Sequence, residues 1–408
     1  MNNTSQHRTV VITGVGPVTA AGIGIANFSA TLANPHELSR EITFFDVSSH
    51  TSKKAFYITD FNVENYLRSR KTYLDRSSEF ALASANLAIS DAGLEVTSLK
   101  ERKAGLFFGT AFGSINTASL FYSDVIKKGP KFAKPILFPH AYPNTAISLL
   151  AIEYGIDGFH DNFASGIVSA GYAILEAFDL IREGRLKIAL AGGCDALSEH
   201  VLTMYEQTGM LSSTINGKEL CLPCDINRNG FMLGEGAGMI VLEDAESAMV
   251  RNARIYAELA GAVTGVVSDP TTDQLNPQLM IKALQLLIDK SKIKPAEIDL
   301  YLANANGSII ADLIEMQTIA SLMPDVAIST VKPLTGETCG ASAVLQVITG
   351  CSLLQNEVVP HILNLNKPEV EKLFYIRNAP QHRKLKLVVT CTIDPGGAVT
   401  LFALKSLR

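Results

Sequence analysis

Apolar residues along the chain form short runs, and these runs alternate with stretches of helical periodicity. Residues 8–16 are an apolar run that ends in Gly-Val-Gly, which predicts a strand followed by a tight turn into a helix. A lone GxG is weak evidence for a dinucleotide site, so we favour the turn. Residues 77–93 place Phe80 and Leu87 on one face of a predicted helix, and residues 104–109 form a buried strand. Strands that alternate with helices indicate a layered α/β fold.

The second half of the chain repeats this order of elements. A helix predicted over residues 277–290 precedes a buried strand at 299–304, and a helix rich in small residues follows at 338–354. The sequence identity between the halves is slight, so the order of elements carries the interpretation. We expect two similar halves, residues 1–251 and residues 252–408, fused back to back into one unit.

A turn at residues 161–166, which we name the elbow, joins a short polar strand to a helix predicted over residues 164–183. Turns of this kind often carry a nucleophile, because the N-terminus of a helix stabilises a thiolate or an oxyanion. The elbow contains Phe163, whose side chain has no nucleophilic atom. A functional interpretation has to explain this residue.

Residues 127–145 form a predicted loop that contains four prolines. Long ordered loops in compact domains tend to carry function. His140 lies in this loop and His160 lies beside the elbow. For each histidine we expect a local hydrogen bond.

Composition and charge exclude several classes of function. The 408 residues are 47% hydrophobic and 18% charged, and the net charge of −5 argues against a basic surface for nucleic acids or membranes. No apolar run is long enough for a transmembrane helix and the polar N-terminus does not fit a signal peptide, so we expect a cytoplasmic protein with reduced cysteines. Cys221 and Cys224 form a lone CxxC without a nearby histidine, which favours a buried thiol pair, no metal and no cofactor.

Motifs spread over nearly the whole chain resemble those of the β-ketoacyl-[acyl carrier protein] synthases. The most specific is the run Asn-Arg-Asn-Gly-Phe-Met-Leu-Gly-Glu-Gly-Ala-Gly at residues 227–238. Shorter matches are Val-Val-Ile-Thr-Gly-Val-Gly at 10–16, Ala-Gly-Gly at 191–193 and Gly-Gly at 396–397. The resemblance implies a thiolase-like duplicated α/β fold of five layers, α-β-α-β-α, with two mixed sheets.

The same resemblance implies three catalytic side chains. A cysteine at the elbow takes the acyl group, and two histidines stabilise the charge that forms when a malonyl-type extender is decarboxylated. In this chain the cysteine position is Phe163, and the histidine positions are Asn306 and Glu337. The associated Lys332 is retained. We therefore expect none of the family's catalytic residues here and an inactive subunit.

An inactive member of this kind resembles the chain length factor of type II polyketide assembly. The resemblance implies a heterodimer with a catalytic ketosynthase, contact with an acyl carrier protein, and a tunnel for a growing polyketide or polyene chain. Chain length factors of aromatic systems commonly carry glutamine where Phe163 stands, so the product class stays open. The segment of residues 112–145 would reach across the dimer interface, as tunnel lining or as ordinary interface core. Its candidate residues are Phe112, Phe121, Tyr122, Phe138, His140 and Tyr142.

Two other functions stay open at this point. One is an acyltransferase with a relocated nucleophile, for which Ser165, Cys339 and Cys391 are the candidates. A thiol needs a lowered pKa and access to react, and the alternative for both cysteines is a small apolar side chain that fills space. The other function is a scaffold that forms a homodimer. An acyl adduct on this chain favours the first, and failure to pair with a ketosynthase favours the second.

Overall fold

The structure is a computed structural model that describes residues 7–214 and 217–408. The strands in these ranges are β1 Val10–Thr19, β2 Gly22–Ile23, β3 Arg40–Glu41, β4 Lys54–Ala55, β5 Gly105–Gly109, β6 His160–Phe163, β7 Ile188–Asp195, β8 Gly236–Asp244, β9 Ala257–Val266, β10 Leu300–Leu302, β11 Ala327–Ser329, β12 Val358–Val359, β13 Phe374–Tyr375, β14 Gln381–His382, β15 Leu387–Ile393 and β16 Ala398–Lys405. The helices are α1 Ile25–Ala33, α2 Arg76–Asp91, α3 Val96–Glu101, α4 Ile115–Lys128, α5 Thr145–Tyr154, α6 Ser169–Arg182, α7 Glu199–Gln207, α8 Ala245–Val250, α9 Pro277–Ser291, α10 Ile309–Leu322, α11 Lys332–Thr335 and α12 Ser342–Asn356.

The main strands fall into two groups with the same order. The first group runs β6-β5-β7-β8-β1, and the second runs β11-β10-β15-β16-β9 with β13 added at its edge. In each group the first three strands run parallel to one another, and the two pairings that follow are antiparallel. The fold is therefore the expected duplicated α/β fold with mixed sheets.

The two groups of strands meet at a short junction. β1 pairs with β9 through Val11 with Glu258 and through Ile12 with Ala257. This junction joins the two expected sheets into one path of eleven strands within the described residues, and β2 is a twelfth strand that pairs with β1 beside the path. The junction is short compared with the β1–β8 and β9–β16 ladders on either side of it.

Helices cover and separate the two groups of strands. α2 and α5 pack on the outer face of the first group, and α9 and α10 pack on the outer face of the second. α6 and α12 lie between the groups and share one hydrophobic core with both. On β10, Leu300 and Leu302 face this central core while Tyr301 faces the outer one, as the two-residue period of a strand requires. The layers are α-β-α-β-α.

The extent of burial explains which helices show a clear pattern of apolar and polar positions in the sequence. α2 is amphipathic, and Asp75 caps its N-terminus, where the Asp75 side chain accepts a hydrogen bond from the N–H of Ser77 at 3.0 Å. α12 lies in the central layer, and every residue from Ser342 to Leu354 is buried. A helix that is covered on all sides has no polar face, so its period cannot be read from apolar positions alone.

Two predictions about the first half were wrong. The Gly-Val-Gly at residues 14–16 does not turn into a helix, because β1 continues through it to Thr19. A Cβ atom on Gly14 or Gly16 would overlap the backbone of α2, so these glycines serve the close approach of strand and helix. The predicted loop at 127–145 contains the end of α4, two short 3₁₀ helices (Pro130–Phe132 and Pro135–His140) and the start of α5. Among residues 7–214 and 217–408, none of the helices has the length and apolar character needed to cross a membrane.

Candidate functional site

The elbow places Phe163 at the end of an edge strand. Phe163 is the last residue of β6, and its carbonyl accepts a hydrogen bond from the N–H of Thr110 at 2.9 Å. The half-buried ring stacks on Tyr172 of α6 with a centroid distance of 6.3 Å. The helix was predicted from residue 164, but α6 begins at Ser169 after a 3₁₀ turn at Gly166–Val168. Gly166 has a φ of 73°, which interrupts a right-handed helix at this point.

Asn306 and Glu337 are in direct contact. The Asn306 amide Nδ2 donates to Glu337 Oε2 at 2.8 Å, and Lys332 Nζ donates to the same oxygen at 2.8 Å. Ser342 donates to Glu337 Oε1 and accepts from Lys332 Nζ at 2.9 Å. Glu337 is 0% exposed, Lys332 1% and Asn306 4%. The sequence-predicted positions 306, 332 and 337 therefore form one buried hydrogen-bonded group, to which the structure adds Ser342.

This group, which we name the Glu337 network, is an ion pair with polar support. A buried carboxylate is costly unless it is paired and hydrogen bonded, and Glu337 has Lys332 as its cation and three further donors. Two donors come from Asn306 and Ser342, and the third is the N–H of Cys339 at 3.2 Å from Oε1. Both oxygens of the Glu337 carboxylate accept hydrogen bonds from within the chain. The network is therefore satisfied without a bound ligand.

Two carboxylates on α10 hold the loop that carries Asn306. Glu315 accepts hydrogen bonds from the N–H groups of Asn304 and Ala305, and Asp312 accepts from the N–H of Asn306 at 3.1 Å. Burial raises the pKa of Asp312 to about 6 and that of Glu315 to about 7. Neither residue was predicted from the sequence, although acidic side chains inside an otherwise apolar helix are a signal of a buried polar site.

A cavity of about 610 Å³ opens beside this loop. Its wall includes Asn306 and Asn304 together with the apolar side chains of Phe231, Ile310 and Ile314. Glu337 and Lys332 lie behind Asn306, with 0% and 1% exposure. A molecule in the cavity would meet an amide, since Asn306 stands between the cavity and the ion pair.

Two of the three candidates for a relocated nucleophile, the cysteines, lie in unfavourable surroundings. Cys339 and Cys391 are buried, and burial raises the pKa of both thiols well above the ordinary value. Ser165 is exposed in the elbow, and its N–H donates to Ser169 Oγ at 2.9 Å. Neither thiol has the lowered pKa that a nucleophile requires.

The CxxC pair is also buried, and burial raises the pKa of both thiols. Cys221 Sγ donates to the carbonyl of Asn306 at 3.3 Å, while the backbone N–H of Cys224 donates to Asp312 at 2.9 Å. Within the ranges 7–214 and 217–408, His, Cys, Asp and Glu side chains do not form a group of three or more that could hold a metal ion.

Most of the predicted interface residues lie together on α4 and the segment after it. Phe121 contacts Tyr122 and Phe138, and Phe138 contacts Tyr142, with ring centroids 5.2 to 5.7 Å apart. Phe112 is separate, because its ring packs on Tyr205 with a centroid distance of 5.9 Å.

The structure extends this cluster with apolar side chains that the sequence analysis missed. Of the twenty large hydrophobic side chains that are exposed among the described residues, seven lie between 120 and 142. Four lysines but a single acidic residue, Asp124, occur between residues 115 and 143. We name residues 115–143 the aromatic–lysine face. The seven exposed side chains are Leu120, Tyr122, Ile126, Phe132, Ile136, Phe138 and Tyr142.

His140 and His160 differ in their hydrogen bonding. His160 Nδ1 makes the expected local hydrogen bond, to the carbonyl of Gly158 at 3.0 Å. His140 Nδ1 is buried without a hydrogen-bond partner in the described part of the chain, so the local bond expected for it is not made by this atom. The His140 ring lies edge-on to Tyr73, and burial lowers the pKa of His140.

Comparison with known proteins decides the family. The model of the β-ketoacyl synthase N-terminal domain matches residues 7–248, and that of the C-terminal domain matches residues 256–366. The chain belongs to the β-ketoacyl synthase family. Its curated relatives include the 3-oxoacyl-[acyl-carrier-protein] synthase 2 of Staphylococcus aureus (strain COL), with 25% identity over 98% of this chain and 99% of the relative.

Solved structures of this family share the fold. The ishigamide ketosynthase/chain length factor matches with a TM-score of 0.92 and 25% identity, over 98% of this chain and all of the matched chain. A β-ketoacyl synthase from Burkholderia phymatum STM815 matches with a TM-score of 0.91 and 24% identity, again over 98% and 100% of the two chains. The similar proteins thus include both synthases and a ketosynthase/chain length factor pair. The choice between these roles for this chain rests on its site residues.

Proposed function

We propose that this chain is a non-catalytic chain length factor that pairs with an active ketosynthase. In this role it shapes the tunnel in which a polyketide or polyene chain grows by decarboxylative condensation on an acyl carrier protein. The observation that carries the proposal is the Glu337 network, in which a buried, fully hydrogen-bonded carboxylate stands at a position of the family's histidine pair.

Electrostatics oppose decarboxylation at this site. A malonyl-type extender brings a carboxylate and passes through an enolate, so both the substrate and the intermediate are anions. Glu337 is an acidic side chain and cannot offer such an anion a positive charge. Its partner cation, Lys332, is already paired with it at 2.8 Å, and both lie buried behind Asn306. Asn306 can donate a hydrogen bond but cannot carry a positive charge.

The elbow opposes the acyl-transfer step. Phe163 has no atom that can form a thioester, and its ring fills space against Tyr172. Cys339 and Cys391 do not replace the missing thiolate, because burial raises the pKa of both thiols. The three catalytic positions of the family are therefore changed together, and each change removes a different part of the chemistry.

The surface supports a partner. β6 lies at the edge of its sheet, and none of the described strands pairs with its outer side. An unpaired edge strand can pair with a strand of another chain, and a large exposed apolar patch is typical of an interface. The aromatic–lysine face supplies the patch, and similarity to the ishigamide ketosynthase/chain length factor supports the kind of partner. We assign Phe121, Tyr122, Phe138, His140 and Tyr142 to this interface.

Phe112 lies elsewhere in the same segment and has a separate role in the proposal. Phe112 lies just before α4, and its ring packs on Tyr205 of α7 rather than on the aromatic–lysine face. We therefore propose Phe112 as a residue of the tunnel wall. A change of its size is expected to alter product length while leaving assembly with the partner intact.

Co-expression with a ketosynthase that retains its Cys–His–His residues tests the proposal. We expect a 1:1 complex in size-exclusion chromatography with light scattering, and product formation that needs both chains. The matched control is the same ketosynthase with its cysteine changed to alanine, for which we expect a complex without product. A stable homodimer of this chain that ignores the ketosynthase would support the scaffold function, and malonyl decarboxylation by the isolated chain would support an enzyme.

A further inference from the structure

The two helices of the central layer begin in the same way. Each follows a short 3₁₀ turn, which is Gly166–Val168 before α6 and Cys339–Ala341 before α12. The first residue of each turn has a positive φ, 73° at Gly166 and 49° at Cys339. The elbow therefore has a structural counterpart in the second half of the chain.

An aspartate from the opposite half holds each of these turns. Asp195, the last residue of β7, accepts the N–H of Gly340 at 2.7 Å. Asp394, which directly follows β15, accepts the N–H of Ile167 at 2.9 Å. In both turns the donor is the second residue. A Cβ atom on Gly166 would overlap the Asp394 carboxylate, so this turn and this carboxylate fit each other closely.

The backbone around Asp394 fixes the direction of its side chain. Its second carboxylate oxygen accepts the N–H of Gly396 at 2.8 Å. Its backbone N–H donates to Ala398 at 2.8 Å, and its carbonyl accepts from Gly397 at 2.8 Å. One carboxylate oxygen of Asp394 thus accepts from Ile167, and the other accepts from Gly396 within the turn after β15.

We infer that Asp394 is a positioning residue that closes the elbow to acyl chemistry. N–H groups at the start of a helix favour a negative charge, and a nucleophile at residue 163 would rely on them to stabilise a thiolate or an oxyanion. The Asp394 carboxylate already takes the N–H of Ile167, and it adds a negative charge beside the elbow. This inference deepens the proposed function, because it adds a residue outside the three family positions that keeps the subunit inactive.

The test introduces a thiol at the elbow and measures its reactivity. In Phe163→Cys the new thiol is distinguishable, because the six native cysteines are all buried. Alkylation by iodoacetamide is followed between pH 6 and about 10 by intact mass and peptide mapping, which gives the pKa of the thiol. We expect a pKa at or above the value of a free cysteine, about 8.5.

Removal of the Asp394 charge gives the comparison. In Phe163→Cys with Asp394→Asn we expect alkylation at pH 7.5 to be about tenfold faster than in Phe163→Cys alone, because a nearby negative charge no longer opposes the thiolate. The matched control is Phe163→Cys with Asp289→Asn, which removes an exposed aspartate from the outer helix α9. Its rate is expected to stay that of Phe163→Cys.

Equal rates with Asp394 and with Asn at that position would overturn the inference, as would a tenfold gain in the Asp289→Asn control. A thiol pKa below that of free cysteine in Phe163→Cys alone would also overturn the inference. This measurement uses the single variant, so it does not depend on how well the double variant folds. None of these outcomes affects the pairing with a ketosynthase. The inference can thus fail while the proposed function stands.

Discussion

The Glu337 network and the aromatic–lysine face have opposite relations to water. The network places a charged pair and two polar side chains where exposure is at most 4%, and each member is hydrogen bonded. The face exposes apolar side chains, with Ile126 at 80% and Phe132 at 59%. The first arrangement is complete within this chain, while the second leaves apolar surface that a partner can cover. The contrast separates a buried polar group whose hydrogen bonds are made within the chain from an exposed apolar surface that is open to a partner.

The largest effect is expected from breaking the Glu337 network. Glu337→Ala leaves the buried Lys332 ammonium without its partner, and loss of one member of a buried ion pair costs about 3–5 kcal/mol. Denaturant unfolding measures the change in free energy. The control is Glu371→Ala, which truncates an exposed glutamate and should change stability little. A loss below about 1 kcal/mol for Glu337→Ala would show that the network does not stabilise the fold.

The next effect concerns the aromatic–lysine face. Phe138→Asp places a charge in the middle of the aromatic cluster, and we expect the affinity for the ketosynthase to fall at least about 30-fold, which corresponds to about 2 kcal/mol. Val250→Asp is the matched control, because Val250 is 85% exposed at the end of α8. Titration calorimetry measures both. Equal affinities for the two variants would place the interface elsewhere.

A third prediction uses the loop that carries Asn306. Burial raises the pKa of Glu315 from its ordinary value of 4.5 to about 7, so ionisation of Glu315 opposes folding. The stabilising contribution of the protonated form is present below about pH 4.5 and is lost as the pH rises through about 7. We expect the free energy of unfolding to fall by roughly 1–3 kcal/mol between these values.

The comparison variant for this pH dependence is Glu315→Gln. It keeps the size of the side chain but cannot ionise, so unfolding curves at several pH values should show a weaker dependence than in the unchanged protein. A stability that rises from pH 5 to 7 in the unchanged protein, and does so less in Glu315→Gln, would reverse the sign of this prediction.

The smallest effect is expected at the elbow itself. Phe163→Cys should leave malonyl decarboxylation at background, because the histidine positions hold Asn306 and Glu337 and because Asp394 occupies the N–H of Ile167 in the turn before α6. The measurement is release of labelled carbon dioxide from malonyl-acyl carrier protein. A rate above that of the unchanged chain would mean that a cysteine alone suffices.

The sequence predicted much of the fold because many elements keep a readable pattern. α2 has a polar face, and β5, β7 and β15 are continuous apolar runs between turns. The order of these elements was enough to predict that the second half of the chain repeats the fold of the first. α12 starts and ends close to its predicted limits despite complete burial, because small residues rather than a period marked it.

The site was only partly predictable. Positions 163, 306, 332 and 337 came from motif resemblance, but the ion pair between Lys332 and Glu337 depends on packing, which no spacing rule shows. Asp394 was missed for a physical reason, since its contact with Ile167 joins residues 227 positions apart. The glycines of β1 led to a wrong prediction of a turn. Glycine is typical of turns, but here Gly14 and Gly16 allow the strand to pack closely against α2.

The most direct test of the account is the location of the acyl group during turnover. The purified complex of this chain with its ketosynthase is incubated with acyl-acyl carrier protein and malonyl-acyl carrier protein, and both chains are examined by intact mass spectrometry. We expect an acyl adduct on the ketosynthase and none on this chain. An adduct on this chain that is lost again on condensation would contradict it.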